Sequence, residues 1–182
     1  MMAAIVLVSL GLGAVFFFLA IRRWIGRRAE TPGRLPNLQL RAPDGARTDL
    51  ATLAAGRRTI LAFVDSGCSH CRSMVERLAG ALAALNEKNE KNEKNEAPSR
   101  RCRLLLVVEG ELEMLRRLLP AEMESAEAVR LFPDGGALRR SLPGAAIVPH
   151  TLLVSEDLRV ERSLRGEKSA DIVAAELGRF CR

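Results

Sequence analysis

Thr59-Ile60-Leu61-Ala62-Phe63-Val64-Asp65-Ser66-Gly67-Cys68-Ser69-His70-Cys71-Arg72 changes character in its middle, and that change decides the architecture. Residues 59–65 form a compact apolar run with β-branched members, the mark of a buried central strand. From Ser69 to Leu85 the apolar residues Met74, Val75, Leu78, Leu82 and Leu85 recur at three- and four-residue intervals. That spacing places them on one face of a helix, with Arg72, Glu76 and Arg77 mostly on the other. The helix begins at or just after Cys68, so Cys68 and Cys71 lie where strand meets helix.

Upstream, Leu38-Gln39-Leu40-Arg41 alternates apolar and polar as a half-buried strand does, and Pro43-Asp44-Gly45 turns the chain toward a second short strand at Arg47–Leu50. Downstream, residues 86–96 read Asn-Glu-Lys three times and then Asn-Glu, with no apolar residue to bury. This segment reads either as a solvated extension of the preceding helix or as a disordered insertion. Strands are expected at 103–108 and 128–132, a helix at 111–119 ending before Pro120, and a short helix at 137–142. Thr151–Val154 and Arg159–Arg162 suggest a hairpin turning through Glu156-Asp157. An amphipathic helix over 168–180, with Ile172, Val173, Ala175 and Leu177 apolar, closes the chain. Strands alternating with helices imply a parallel sheet core, and the final hairpin adds an antiparallel edge: a mixed α/β sheet flanked by helices.

Residues 1–21 carry no charge and include a dense apolar run from Ile5 to Leu19. A run of roughly 20 such residues reads as a transmembrane helix, because lipid forces every backbone polar group to pair internally. No basic residue precedes it, which favours an uncleaved anchor over a secretory signal. The expected organisation is therefore an anchor at 1–21, a basic juxtamembrane linker at 22–36, and one α/β domain at 37–182 carrying the insertion 86–96. Of the 28 basic residues, Arg22, Arg23, Arg27 and Arg28 follow the anchor directly, leaving 24 against 22 acidic residues in the rest. The net charge of +6 thus belongs beside a membrane rather than to a nucleic-acid face. By the positive-inside rule these arginines would hold the domain in the cytoplasm.

Two cysteines separated by two residues can close a small disulfide ring. Unpaired N–H groups at the helix start favour a thiolate on Cys68, and His70 within the ring adds positive charge when protonated. Stabilising the thiolate stabilises the reduced form, so His70 predicts a more oxidising couple than a ring without a nearby cation. A haem attachment site would need His where Arg72 stands, and a structural zinc site would ordinarily need a second CxxC. Cys102 opens an apolar strand and reads as a small core residue, while Cys181 next to the terminus reads as exposed. A Cys102–Cys181 bridge is one connectivity the sequence permits without selecting it.

With Val148-Pro149-His150 just before a late strand, the chain resembles the thioredoxin superfamily, whose active site is completed by a cis-proline opposite the CxxC loop. The resemblance implies that Pro149, after Val148, is that proline. Together with the membrane helix, the linker and the Leu38-Gln39-Leu40…Asp44-Gly45…Leu50 prelude, residues 35–180 look like the TlpA/ResA-type thioredoxins, with the MauD type similar in plan. Such proteins are bacterial, face the periplasm or exterior, and exchange disulfides with exported protein partners. The resemblance therefore opposes the positive-inside reading and places the domain outside. It also implies that Cys68 attacks, Cys71 resolves, Ser69 and His70 tune the ring, and the Val148–His150 loop receives an extended substrate segment, with no cofactor. On this fold His70 and His150 would both lie beside the cysteines, so a rival reading is a copper- or zinc-binding module of Cys68, Cys71, His70 and His150. His70 favours an oxidant or isomerase, and the resemblance favours a reductase. There are departures: Gly67 stands for the usual tryptophan, Ser69 for the ring proline, and Ala62 for a buried acid. That last change leaves Glu76 or water to take the proton of Cys71.

Overall fold

The computed structural model describes residues 33–92, 102–117, 119, 129–133, 142 and 147–181. The expected anchor, the end of the insertion and the expected helix before Leu142 lie outside them. Among the described residues no helix is long and apolar enough to cross a membrane.

Two short strands, β1 (Gln39–Arg41) and β2 (Arg47–Asp49), pair antiparallel around the Pro43-Asp44-Gly45 turn. Asp49 then caps a five-residue helix, α1 (Leu50–Ala54). Its carboxylate accepts from the Thr52 N–H at 2.8 Å and the Thr52 hydroxyl at 3.0 Å. An aspartate that satisfies orphan N–H groups is a common helix start. Strand β3 (Thr59–Asp65) follows, and α2 (Ser69–Asn92) leaves its end. The Asn-Glu-Lys segment therefore continues the helix as far as Asn92, because glutamate and lysine are good helix formers even without a face to bury.

The main sheet also contains β4 (Arg103–Glu109), β5 (Val129–Pro133), β6 (His150–Val154) and β7 (Val160–Arg165), in the order β5-β4-β3-β6-β7. Strands β3, β4 and β5 run parallel, and β6 and β7 return antiparallel. A central strand must be apolar on both faces, and residues 59–64 are all buried. Alternation then divides the core. Ile60, Ala62, Val64, Leu104, Leu106 and Val108 pack with Met74, Val75, Leu78 and Leu82 of α2. Leu61, Phe63, Leu105, Val107 and Phe132 pack on the opposite face with Leu50, Leu53, Leu38 and Leu40. Each fully buried side chain of this size stabilises the fold by about 1.5–3 kcal/mol relative to exposure.

Three expectations need correction. Helix α3 spans only Leu112–Arg116, well short of the nine residues foreseen. In the last helix, α4 (Ala170–Phe180), the buried stripe is Val173, Leu177 and Phe180, while Ile172 is 48% exposed and Ala175 faces outward. Positions four and three apart share a face, so Ile172 and Ala175 fall off its edge. Lastly, Cys102 and Cys181 are both buried and joined in a disulfide, across a separation of 79 residues. It ties the residue before β4 to the end of α4. Arg58 reinforces the closure by donating to the Phe180 carbonyl and stacking over the Phe180 ring, 5.4 Å from its centre.

Candidate active site

Strand β3 ends at Asp65, and the chain turns sharply there. The Asp65 carboxylate accepts the Gly67 N–H at 2.7 Å, and its carbonyl accepts the Cys68 N–H at 3.2 Å. Side-chain acceptance two residues on is an Asx turn, which re-aims the chain without a strained backbone. A Cβ at Gly67 would stand 3.3 Å from that carboxylate oxygen, so a glycine fits where the resemblance leads one to expect tryptophan. The turn is held from below by Ser66, whose N–H donates to Glu109 O at 2.9 Å and whose hydroxyl accepts the Glu111 N–H at 2.8 Å. Gly110 makes that approach feasible: its φ is +97°, and a Cβ there would lie 2.2 Å from the Ser66 hydroxyl.

Cys68 is half-buried at the start of α2 and Cys71 is fully buried one turn on; both are thiols. The Cys68 carbonyl accepts from the N–H groups of Cys71 and Arg72, and its sulfur accepts the Cys71 N–H at 3.4 Å. The Cys71 sulfur accepts the Asp65 N–H at 3.5 Å. Burial pushes the Cys71 thiol up to about 12, and the nearby charges of Cys68 and Asp65 push the same way against the Asp65 N–H. The two sulfurs are therefore unequal: one accessible at a helix start, the other enclosed and holding its proton.

The carboxylate whose charge helps to raise the Cys71 thiol is Asp65. Glu76, considered as the proton acceptor, points to solvent from α2, and Ala62 is buried opposite Thr151. Nothing in the sequence singled out Asp65, apart from its place as the polar end of an apolar strand.

His70 is 71% exposed in its side chain, and its Nδ1 pairs with Glu167, from the loop between β7 and α4. The other Glu167 oxygen accepts from Arg77 Nη1 at 2.8 Å. His70 and Arg77 are seven residues apart, two turns along one side of α2, so one carboxylate spans both. The hydrogen bond from His70, followed by the Arg77 charge, holds Glu167 below the usual carboxylate range. Ser69 is exposed beside His70. Glu167 stands 97 residues from His70 and had no sequence signal.

The Val148–Pro149 peptide is cis. Val148 packs against the same cluster as Cys68 and Cys71, and the Pro149 carbonyl accepts the Gly166 N–H at 2.8 Å. His150 departs from the expectation that both histidines flank the cysteines. It pairs with Phe63 in the sheet and so belongs to the face opposite Cys71. Its Nε2 meets the Ser163 hydroxyl at 2.9 Å, its ring centre lies 6.4 Å from that of Phe63, and it is 2% exposed. Burial first, then the Arg165 charge, lowers it to about 4. Among the described residues no group of three or more His, Cys, Asp or Glu side chains is placed to hold a metal ion. The four-ligand copper or zinc arrangement is thus not assembled, because one of its histidines faces away.

No family model matches the chain, and no curated protein matches it by sequence. Its fold matches solved structures. A thiol:disulfide interchange protein of the thioredoxin family from Chlorobium tepidum superposes with TM-score 0.59 at 13% identity, over 84% of this chain and 99% of that one. A secreted disulfide oxidoreductase from Mycobacterium tuberculosis gives 0.55 at 14% identity, over 79% and 96%. StoA from Bacillus subtilis gives 0.53 at 17% identity, over 81% and 97%. At such identities the likeness establishes the thioredoxin-like fold.

Proposed function

We propose that this chain is a thiol–disulfide oxidoreductase that exchanges disulfides with protein partners through Cys68 and Cys71. The observation that carries the reading is the inequality of the two sulfurs at the strand–helix junction, with the cis Val148–Pro149 loop packed on the same cluster. Cys68 attacks a partner disulfide as thiolate; one partner sulfur leaves as thiolate and takes up a proton. Cys71 then loses its proton and attacks the Cys68 sulfur, forming the Cys68–Cys71 disulfide and releasing the second partner thiol. The partner gains two electrons and two protons, and the couple loses them; run in reverse, the same steps oxidise a partner.

Burial keeps Cys71 protonated while Cys68 is a free thiolate. Once Cys68 is in the mixed disulfide its like charge is gone, which removes part of what raises Cys71. The Asp65 N–H, which donates to the Cys71 sulfur at 3.5 Å, stabilises the emerging thiolate, while the Asp65 carboxylate charge opposes it. Val148 and Pro149 would offer backbone to an extended partner segment, as in strand addition.

The partners we envisage are exported proteins, met outside the cytoplasm by a domain anchored through residues 1–21. Support comes from the Cys102–Cys181 disulfide, since structural disulfides persist in oxidising compartments. The apolar run supports the anchor, and the chain's resemblance to TlpA/ResA-type proteins points to the exterior, against the positive-inside reading of Arg22, Arg23, Arg27 and Arg28. A carboxyl-terminal reporter fusion checks the location: reporter activity on the cytoplasmic side alone would reverse it. The chemistry is checked with Cys71→Ala, which should accumulate mixed disulfides through Cys68 that Cys68→Ala abolishes. Equal trapping without Cys68 would defeat the assignment.

A further inference from the structure

A histidine inside a dithiol ring ordinarily acts on the thiolate beside it, but here the imidazole is engaged elsewhere. His70 Nδ1 pairs with Glu167, and the Cys68 sulfur accepts its hydrogen bond from the Cys71 backbone N–H. Glu167 is not a loose rim residue. Its side chain is only 27% exposed and is fixed by a second contact, Arg77 Nη1 at 2.8 Å. Arg77 in turn donates to the Lys168 carbonyl, and Lys168 Nζ to the Arg165 carbonyl at 2.7 Å. The loop after β7 is thereby fastened to α2, and its carboxylate is held against His70.

We propose that Glu167 is a positioning residue that holds the charge of His70 away from Cys68 and so makes the Cys68–Cys71 couple more reducing than its ring sequence alone would. The inference rests on the redox reading above and names its control. A cation next to the Cys68 thiolate stabilises the dithiol and raises the potential. A carboxylate that draws the imidazole outward and neutralises its charge cancels that effect. With His70 so occupied, the couple is suited to donating electrons to partner disulfides.

The test is equilibration of the full-length chain with glutathione at pH 6, below the ordinary imidazole value of about 6.5, where an unpaired imidazole carries its charge. The reaction is balanced: dithiol plus oxidised glutathione gives the Cys68–Cys71 disulfide plus two reduced glutathione molecules. The state of this pair is read by alkylation and mass spectrometry of its own peptide, separately from Cys102–Cys181. In Glu167→Gln the freed His70 should shift the equilibrium toward dithiol by about two- to fivefold, the effect of a charge near an exposed helix end. For a two-electron couple that is roughly 10–20 mV. In the His70→Ala background the same Glu167→Gln change should move the equilibrium less than about 1.5-fold.

A Glu167→Gln shift that persists undiminished without His70 would overturn the proposal, because Glu167 would then act as a bare charge. So would an unchanged or lowered potential in Glu167→Gln. If the unmutated chain shows no reversible transition at all, the redox reading fails and this inference with it. A wild-type transition without the Glu167 effect sinks the inference alone.

Discussion

Removing the Cys102–Cys181 bridge gives the largest stability change that can be worked from the structure. Replacing both residues with alanine opens a loop whose ends are 79 residues apart. Chain entropy for a loop of that length is worth about 4–5 kcal/mol to the folded state. Both residues are buried, at 2% and 6% exposure, so the loss of their sulfurs leaves small voids that add about 1 kcal/mol. For a domain of this size, with a urea m-value of about 2 kcal/mol per molar, the midpoint should fall by roughly 2.5–3 M. Urea unfolding of the full chain and of Cys102→Ala/Cys181→Ala, followed by circular dichroism, measures this directly. A fall of less than about 0.5 M would refute the reasoning. It would mean that Val173, Leu177, Phe180 and the Arg58 clamp hold α4 without help, and that the unfolded chain gains little freedom from the break.

Gly110→Ala forces a methyl group toward the Ser66 hydroxyl at a φ of +97°, and should cost about 1–3 kcal/mol in thermal or urea melts while Gly56→Ala, which meets no neighbouring atom, costs less. In the reduced protein at pH 8, iodoacetamide should alkylate Cys68 at least about tenfold faster than Cys71, because the latter is buried and raised to about 12; peptide mass spectrometry gives the ratio. His150 should impose a pH dependence on folding. Its value is depressed from 6.5 to about 4, so its stabilisation is complete above pH 6.5 and is lost as pH falls toward 4. The loss is roughly 3 kcal/mol, and His150→Leu should flatten this part of the profile; an unchanged slope would show that other groups set it.

Strand β3 and helix α2 were legible because their signals are local: an unbroken apolar run, then a three-four spacing, with the cysteine pair at the change of period. The β1–β2 and β6–β7 hairpins were legible from alternation around turn residues. Helix α1 is one turn long and has no periodicity to read, although Asp49 is a recognisable cap. The site divides in the same way. Cys68, Cys71, His70 and Pro149 are conspicuous as residue types at a spacing. Asp65 and Glu167 become part of the site only through the fold: one at the turn where its N–H meets the Cys71 sulfur, the other by a loop 97 residues from its partner. His150 misled because its face depends on pairing register, and the register with Phe63 turns it away from the sulfurs. The Cys102–Cys181 bridge needed the meeting of β4 and α4, which no spacing encodes.

The account stands on Cys68 and Cys71 forming a working couple, and glutathione titration of the full-length chain, read at that pair alone, tests it most directly. The prediction is one reversible two-electron transition between dithiol and intramolecular disulfide. A pair that stays reduced across the glutathione range, or takes up glutathione on Cys68 without ever closing to Cys71, would contradict it.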